Sequence, residues 1–494
     1  METKLAIPVV ASNIDDAIEK GEIAAQHADI LEFRADYINQ LNLNDIDKFY
    51  QGIDIPLIFT CRPQFEKGYF SGSEEERKNI ILYAAKVGYE FVDVEYKSKI
   101  YDSFIEQSGN SKVILSYHNF DKTQDYDRLY NLATDMSKTG ADILKIISTA
   151  KSLNDNFKIF HLLQAFEGKN LIAFCMGIYG HISRVLCKKY GSFISFAALN
   201  KNSQSADGQI TVGEMLDTYH FRKIDQDTKI LGVAGQFAEN SKSKYMHNPV
   251  FQEVDENCVY LPLKIKPGQD LENFMQNFRS FDFAGMAVTI PHKEKIIEYM
   301  DELDKTAKEI GAVNTVVKKN DSLKGLNTDY VGAVKALENH TDLAGKKCLV
   351  IGAGGAARAV VYGLSKKSAQ VTITNRTMKK AEKLAEEFGC HVVDFADRER
   401  VAQQVNIIIN TTSVGMYPDI QNTVLEKFNK STLVMDIVYK PLKTKVLQFA
   451  EQSGCEIITG EKMLVYQAIE QFEIWTGKRP EFKIMHEAFL NIPE

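Results

Sequence analysis

The residues that could do chemistry fall into two groups, and the first centres on a lysine in unusual surroundings. Lys145 sits inside Ala141-Asp142-Ile143-Leu144-Lys145-Ile146-Ile147, a run that reads as a short buried strand. A parallel strand covered on both faces gives an ammonium no easy route to water. Burying that charge is costly, whereas the neutral amine is the form that attacks a ketone to make a Schiff base. The same lysine could instead lie at the strand's end and reach the rim, or pair with an acid. Its neighbours carry the argument further. Glu32-Phe33-Arg34-Ala35-Asp36 ends another strand-like run, and period-2 alternation puts its three charges on one face. Thr60-Cys61-Arg62, with Glu66 soon after, ends a third; Tyr117-His118 ends a fifth; Met176 and Arg184 follow a seventh. A lysine, a histidine and several arginines on one rim suit an anionic, hydroxylated ketone. Lys145 is then the amine nucleophile, His118 the general acid/base, Glu66 the partner that tunes it, and the arginines anchors for carboxylate or hydroxyls.

The second group is a glycine-rich turn with polar residues around it. Lys347-Cys348-Leu349-Val350-Ile351 runs directly into Gly352-Ala353-Gly354-Gly355-Ala356-Ala357-Arg358, the strand–turn–helix context of a dinucleotide fingerprint. Its glycines let backbone amides approach a pyrophosphate at a helix N-terminus. The next strand, Gln370–Thr374, ends in Asn375-Arg376-Thr377, with no acid for a ribose hydroxyl but an arginine suited to a 2′-phosphate, so the expected cofactor is NADP(H). Ala287-Val288-Thr289-Ile290-Pro291-His292-Lys293 delivers a lysine to a strand's end, and Gly325-Leu326-Asn327-Thr328-Asp329 brings an acid to a strand–helix turn. Such a pair near a bound carbonyl can move a proton to an alkoxide; as structure alone it is a surface ion pair. Ser241-Lys242-Ser243 precedes a helix and could receive a carboxylate, or act as an ordinary cap.

The elements that must position these groups are legible in the order of the runs. Strand candidates at Leu5–Val10, Ile30–Asp36, Pro56–Arg62, Phe91–Tyr96, Lys112–His118, Ala141–Ile147, Asn170–Met176 and Phe193–Leu199 alternate with helical segments such as Asn13–Gln26, Glu74–Val87 and Ser152–Glu167. Eight such repeats predict an α/β chain opening with a (β/α)8 TIM barrel, which carries its chemistry at the C-terminal strand ends. The charged segment Arg222–Asp227 reads as a linker, and a second α/β module begins at Lys229. The expected domains are 1–222, then a substrate domain over 228–340 completed by C-terminal helices at 459–494, with a Rossmann domain over 341–458 between. The chain of 494 residues is 44% apolar and 25% charged, with a formal charge of −7, which argues against general nucleic-acid or membrane-surface binding. No apolar run reaches the ~18 residues of a membrane span. A strand-like Leu5–Val10 so close to Met1 leaves no room for a targeting segment, and seven scattered cysteines without a CxxC read as reduced thiols, so a cytoplasmic protein is expected.

The first half resembles type I 3-dehydroquinate dehydratase. The match rests on Leu31–Asp36, Thr60-Cys61-Arg62, Ser116-Tyr117-His118-Asn119, Leu144-Lys145-Ile146 and Ser205-Ala206-Asp207-Gly208-Gln209, over about Leu5 to Leu216. The resemblance implies that Lys145 forms an imine with the C3 ketone of 3-dehydroquinate and that His118 takes the C2 proton and passes it to the departing C1 hydroxyl. It also implies that Glu32, Arg34 and Arg62 hold ring hydroxyls, that Arg184 binds the carboxylate, and that Ser205 and Gln209 lie on a closing loop, where Asp207 replaces the family's frequent proline.

The second half, from about Lys229 onward, resembles shikimate dehydrogenase. Ser241-x-Ser243, Thr289-Ile290-Pro291-His292-Lys293, Gly311-Ala312-Val313-Asn314-Thr315, Asn327-Thr328-Asp329, Asn375-Arg376-Thr377, Thr412-Ser413-Val414-Gly415-Met416 and Asp436-x-x-Tyr439-x-Pro441 carry that match. It implies Lys293 and Asp329 as the catalytic pair, and Ser241, Ser243, Thr289, Asn314, Tyr439 and Gln467 around shikimate. It places the cofactor against Gly352–Ala356, Asn375–Thr377, Thr412, Ser413, Met416 and Gly460. Gly235-Gln236-Phe237-Ala238-Glu239-Asn240-Ser241 departs from the family's Gly-x-Pro-Ile-x-His-Ser, and Lys244 stands where a proline is usual. Ser243 with Thr289 favours shikimate over quinate. The two resemblances are consecutive in chemistry: dehydration to 3-dehydroshikimate, then reduction to shikimate, with small-molecule partners and no metal. The alternatives are a dehydratase joined to a quinate dehydrogenase, or a non-catalytic metabolite sensor on the same folds.

Overall fold

The computed structural model describes residues 2–98, 100–206 and 208–492, so Asp207 of the closing-loop motif lies outside the described residues. The chain forms two compact units, Met1–Thr228 with Gly268–Asn277, and Lys229–Pro267 with Phe278–Glu494. The segment 268–277, expected with the substrate domain, belongs with the first unit.

In the first unit, β1 (Lys4–Val9), β2 (Ile30–Arg34), β3 (Leu57–Thr60), β4 (Phe91–Glu95), β5 (Lys112–His118), β6 (Ile143–Thr149), β7 (Leu171–Met176) and β8 (Ile194–Phe196) form one parallel sheet. Its order is β7-β6-β5-β4-β3-β2-β1-β8, and Phe193 N donates to Leu171 O at 2.8 Å where the ends of that order meet. Helices α1 (Ile14–Ala25), α2 (Leu43–Gly52), α3 (Glu74–Val87), α4 (Tyr101–Gln107), α5 (Tyr126–Ser137), α6 (Asp155–Ala165) and α7 (His181–Leu186) connect the strands. Their starts are written locally. The Asn13 side chain caps α1, and Asn42/Asp45 and Ser73/Glu76 form reciprocal capping boxes on α2 and α3.

Period-2 alternation builds the interior in tiers. Ile30, Ile58, Phe91, Ile114 and Ile143 belong to the inner apolar cluster. Two residues further along the same strands come Glu32, Thr60, Asp93, Ser116 and Lys145, a polar tier, and two further again Arg34, Arg62, Glu95, His118 and Ile147. Several strand boundaries differ from expectation: β3 stops at Thr60 and β8 at Phe196, short of the expected Arg62 and Leu199, and two further differences bear on the site. β2 stops at Arg34 because its ladder partner stops at Thr60, and Ala35–Tyr37 forms a 3-10 turn, so Asp36 leaves the face shared by Glu32 and Arg34. β6 is shifted, starting where Asp142 turns its carboxylate to Val113 N (2.8 Å) and running on to pair Thr149 with Met176. Lys145 is therefore its third residue, inside the barrel rather than at the rim. The expected linker is also tied down: Phe221 is buried, and Arg222 donates to Asp29 Oδ1 and His27 O, each at 2.8 Å.

The second unit holds two sheets. β9 (Lys229–Gly235), β10 (Cys258–Lys264), β11 (Gly285–Val288), β12 (Glu302–Leu303), β13 (Thr315–Lys319) and β14 (Ser322–Leu326) form a mixed sheet in the order β10-β9-β11-β13-β14-β12. Helices α8 (Ser243–Glu253), α9 (Gln269–Ser280), α10 (Lys305–Ile310) and α11 (Asp329–Glu338) accompany it in sequence. β15 (Lys347–Ile351), β16 (Gln370–Thr374), β17 (His391–Val392), β18 (Ile407–Asn410), β19 (Leu433–Asp436) and β20 (Glu456–Ile458) form a wholly parallel sheet in the order β17-β16-β15-β18-β19-β20. That order reverses between β15 and β18, the switch point at which doubly wound sheets bind ligands. Helices α12 (Gly355–Lys366), α13 (Met378–Phe388), α14 (Arg398–Ala402), α15 (Lys445–Gln452), α16 (Gly460–Thr476) and α17 (Phe482–Leu490) complete the unit. Val465, Ile469 and Phe472 of α16 and Met485 of α17 pack into the first sheet's core with Leu231, Met246 and Tyr260. Among the described residues no helix is long and apolar enough to cross a membrane.

Candidate active sites

The polar tier of the barrel is a connected network. Lys145 Nζ lies 2.8 Å from Asp93 Oδ2 and 3.7 Å from Glu32 Oε1, over the Phe196 ring at 4.6 Å. The lysine is thus neither unpaired nor at the rim; it has an acid in its own tier. Asp93 also accepts from Arg62 Nη2 at 2.8 Å and Ser116 Oγ at 2.6 Å. Burial alone would raise the Asp93 carboxyl, but the Arg62 guanidinium and the Lys145 ammonium hold it well below the usual carboxylate range. His118 Nδ1 meets Glu66 Oε2 at 2.9 Å. Burial, then the Arg62 charge, lower the imidazole below its ordinary value, while Glu66 opposes them. Glu66, despite its burial, is kept ionised by the histidine and Arg62. A neutral ring donating Nδ1–H to that carboxylate leaves Nε2 free to take a proton.

The residues expected to hold ring hydroxyls are already engaged. Glu32 Oε1 accepts from Thr60 Oγ1 at 2.8 Å. Arg34 forms a two-point contact with Asp36 at 2.9 and 2.8 Å. Arg62 divides its donors among Asp93, Ser116 and Glu95 Oε1, the last at 2.7 Å. Arg184 is different. It is 1% exposed, lies over the Phe174 ring at 4.5 Å, and among the described residues has no acid beside it and one hydrogen bond, to Phe196 O at 3.4 Å. Burial pushes its pKa down to about 10. A buried guanidinium of that kind is a ready anion site. Ser205 donates through N and Oγ to Gln209 Oε1, at 2.9 and 3.2 Å. Their loop reaches the barrel through Ala206, which packs on the inner apolar cluster, and through Gly208. That glycine has φ +69°, and a Cβ there would lie 2.6 Å from the Gly177 backbone.

In the second unit Lys293 Nζ and Asp329 Oδ2 are 2.5 Å apart, with side chains 16% and 6% exposed, so the pair is not a surface ion pair. Asn314 Nδ2 donates to Asp329 Oδ1 at 2.8 Å and faces Gln467 Oε1 at 3.4 Å. Ser241 Oγ donates to Ser243 Oγ at 3.1 Å, and the Ser243 backbone returns a bond to Ser241 Oγ at 3.2 Å. Burial pushes the Tyr439 phenol up, with the Ser241 hydroxyl opposing it, which sets Tyr439 beside the serines. Thr289 stands at the end of β11, its methyl over Gly235.

The glycine turn meets this pair directly. Gly352 has φ +123°, Gly354 is the N-cap of α12 with open space where a side chain would be, and a Cβ on Gly355 would lie 3.1 Å from Lys293 Cβ. Backbone amides at the start of α12 thus face an open cradle beside Lys293, which fits a dinucleotide pyrophosphate. Ala353 and Ala356 complete the turn. Arg376 is exposed and has no partner among the described residues, Thr377 is the N-cap of α13, and Asn375 Nδ2 donates to Thr377 O at 2.9 Å. Across the switch point, Thr412 donates through N and Oγ1 to Asn410 Oδ1, Ser413 is exposed, and Met416 is 36% exposed. Gly460 opens α16, buried against the carbonyls of Ile437 and Val438. Among the described residues no group of three His, Cys, Asp or Glu is placed to hold a metal ion.

Sequence reading passed over several members of these networks. Asp93 and Glu95 alternate within Phe-Val-Asp-Val-Glu as Glu32 and Arg34 do within β2, so the signal was there in an otherwise apolar strand. Arg77 on α3, wholly buried, reaches Glu95 Oε2 at 2.6 Å and holds Glu74 in a two-point contact; nothing in a helical Glu-Glu-Glu-Arg run marks it. Thr328 and Gln471 buttress Asn314 through its side chain and its carbonyl.

Comparison with known proteins finds relatives for both halves of the chain. The family described as type I 3-dehydroquinase matches residues 5–226. The shikimate dehydrogenase substrate binding domain matches residues 233–316, shikimate / quinate 5-dehydrogenase matches 334–451, and the shikimate 5′-dehydrogenase C-terminal domain matches 460–488. The NADP(+) shikimate dehydrogenase of Pyrococcus furiosus is 40% identical over 54% of this chain and 97% of its own length. A Thermus thermophilus shikimate 5-dehydrogenase solved with NADP(H) and shikimate superposes with a TM-score of 0.50 at 34% identity, covering 53% of this chain and 98% of that one. A chloroplastic bifunctional 3-dehydroquinate dehydratase/shikimate dehydrogenase of Arabidopsis thaliana is 38% identical over 96% of this chain and 82% of that protein. With both halves matched in one relative, the chain belongs to the family of bifunctional 3-dehydroquinate dehydratase/shikimate dehydrogenases.

Proposed function

We propose that the barrel dehydrates 3-dehydroquinate to 3-dehydroshikimate through a Schiff base on Lys145, and that the second unit reduces this product to shikimate with NADPH. The observation that carries the reading is the occurrence, in one chain, of a buried Lys145–Asp93 contact in the barrel and a Lys293–Asp329 contact beside the glycine turn. In the barrel, Lys145 attacks the C3 ketone and water leaves as the imine forms. His118 Nε2 removes the C2 proton, the imine takes up the electron pair, and the C1–oxygen bond breaks with that proton carried to the departing hydroxyl. Hydrolysis of the imine returns Lys145, and the net change is loss of one water. Asp93, 2.8 Å from Nζ, gives the imine's positive charge a partner. Glu66 holds His118 in the Nδ1–H tautomer, and Arg184 receives the substrate carboxylate. Glu32, Arg34 and Arg62 reach ring hydroxyls only while keeping their partners in the wall, and Ser205 and Gln209 cover the mouth.

In the second unit, Lys293 supplies the proton to the C3 oxygen and Asp329, fixed by Asn314, keeps that ammonium in place. Ser241, Ser243, Thr289, Asn314, Tyr439 and Gln467 hold the ring and carboxylate. The amides of Gly352–Ala356 would hold the pyrophosphate, Asn375, Arg376 and Thr377 the 2′-phosphate, and Thr412, Ser413, Met416 and Gly460 would line the rest of the cofactor site; the bound cofactor would supply the hydride. Ser243 with Thr289 sets the preference for shikimate over quinate. The corresponding domains are 1–222, 228–340 with 459–494 but without the segment 268–277, and 341–458. Seven free thiols suit a reducing compartment, which we take to be the cytoplasm.

Borohydride reduction in the presence of 3-dehydroquinate tests the first half. It should attach the ligand to Lys145, identified by peptide mass, and recovery of that peptide unmodified would remove the Schiff-base reading.

A further inference from the structure

Asp436 has no role in the reaction as described, yet it is fully buried at the point where the second unit's binding loops meet. It ends β19, paired in register with Asn410 at the end of β18, on the switch-point side of the parallel sheet. Its Oδ1 accepts from Asn410 Nδ2 at 3.1 Å and Val438 N at 3.0 Å, and its Oδ2 accepts from Thr444 Oγ1 at 2.6 Å. Each donor belongs to a different segment. Asn410 passes the constraint on: its Oδ1 accepts from Thr412 N and Oγ1 at 3.0 and 2.7 Å, and Val414 N closes on Thr412 Oγ1 at 3.2 Å. Val438 immediately precedes Tyr439. Thr444 is the N-cap of α15 and lies against Gly415, whose absent Cβ would be 3.5 Å from Thr444 Cβ.

We propose that Asp436 is a positioning residue for the reductase, a single buried carboxylate that keeps the cofactor loop Thr412–Met416 and the substrate-side Tyr439 in register with each other. The proposal rests on the reductase reading above. Three donors converge on this carboxylate and, among the described residues, no cation pairs with it, so burial pushes its pKa up to about 6 against those hydrogen bonds. An ionisable group kept in so costly a place, where an asparagine has the same shape, is explained by what it holds.

The test is steady-state kinetics on the full chain for Asp436→Asn and Thr444→Val, with the dehydratase activity of the same samples as internal reference. Asparagine cannot accept from all three donors. We expect reductase kcat to fall about ten-fold or more and KM for NADPH and for 3-dehydroshikimate to rise together, from the loss of a charge-assisted hydrogen bond. Dehydratase turnover and the thermal midpoint should hold. Thr444→Val removes only the Oδ2 bond and should give a smaller change in the same two KM values. Wild-type reductase kinetics in both variants overturn the proposal, as does a lowered midpoint with unchanged KM values, since either outcome leaves Asp436 a packing residue. If Asp436→Asn does not fold, Thr444→Val alone decides by the same KM criterion. A wild-type chain that does not reduce 3-dehydroshikimate at all refutes the reductase reading instead, which keeps the two failures apart.

Discussion

Replacing His247 by phenylalanine should flatten the second unit's response to acid. His247 lies on α8, one turn beyond Ser243, and is fully buried. Its ring stacks on Tyr260 at 4.4 Å and 14°, and Phe472 and Trp475 complete the box at 6.1 and 5.6 Å. Burial in that aromatic box lowers its pKa to about 3. In the unfolded chain the ordinary value is about 6.5, so the folded state binds fewer protons and stability rises with pH between those values. Stability is therefore intact above pH 6.5 and is lost as pH falls toward 3. At pH 5 the unfolded histidine is almost fully protonated and the folded one almost wholly neutral, which favours unfolding by about 2 kcal/mol, against about 0.1 kcal/mol at pH 7.5. Phenylalanine keeps a planar ring in the stack and removes the titration. The chain's single tryptophan is Trp475, in contact with the ring, so its fluorescence during urea unfolding reports this unit alone. The unfolding free energy of wild type should drop between pH 7.5 and 5 by about 2 kcal/mol more than that of His247→Phe. Equal drops in the two proteins would refute the argument that this histidine is held neutral by its box.

Other substitutions separate the two halves. Lys293→Met should lower reductase kcat by about two to four orders of magnitude, the usual weight of a general acid, and leave dehydration unchanged. Arg376→Ala should raise KM for NADPH about ten-fold or more with little effect on NADH, as expected for one charge-assisted contact to a phosphate; an equal effect on both cofactors would remove the 2′-phosphate assignment. Arg184→Met should raise KM for 3-dehydroquinate by at least about ten-fold while raising the barrel's unfolding midpoint, because it removes a buried charge that has no acid beside it among the described residues. A lowered midpoint with unchanged KM would make Arg184 structural.

Much of this was legible in the residues, and the gaps have physical causes. The eight strands and the Gly352 turn announce themselves through local pattern, because alternation and glycine spacing are properties of a few adjacent residues. Lys145 was visible as a misfit, but its partner Asp93 was not, since the contact crosses 52 positions and depends on barrel register. Expecting Asp36 on the strand failed for the same reason: β2 ends where β3 stops supplying ladder partners, which one strand cannot reveal. Arg222–Asp227 reads as a charged linker by composition, whereas buried Phe221 and the Asp29 carboxylate hold it against the barrel. Asp436 appeared only as part of a motif; its three donors come from segments 2, 8 and 26 residues away.

The central claim is that one chain performs two consecutive steps, and a coupled assay tests it most directly. Purified protein given 3-dehydroquinate and NADPH should form shikimate, with one NADPH oxidised for each 3-dehydroquinate consumed. Lys145→Ala should oxidise no NADPH from 3-dehydroquinate and recover wild-type oxidation when 3-dehydroshikimate is supplied. Oxidation of NADPH by Lys145→Ala with 3-dehydroquinate alone, or its absence in wild type, would contradict the account.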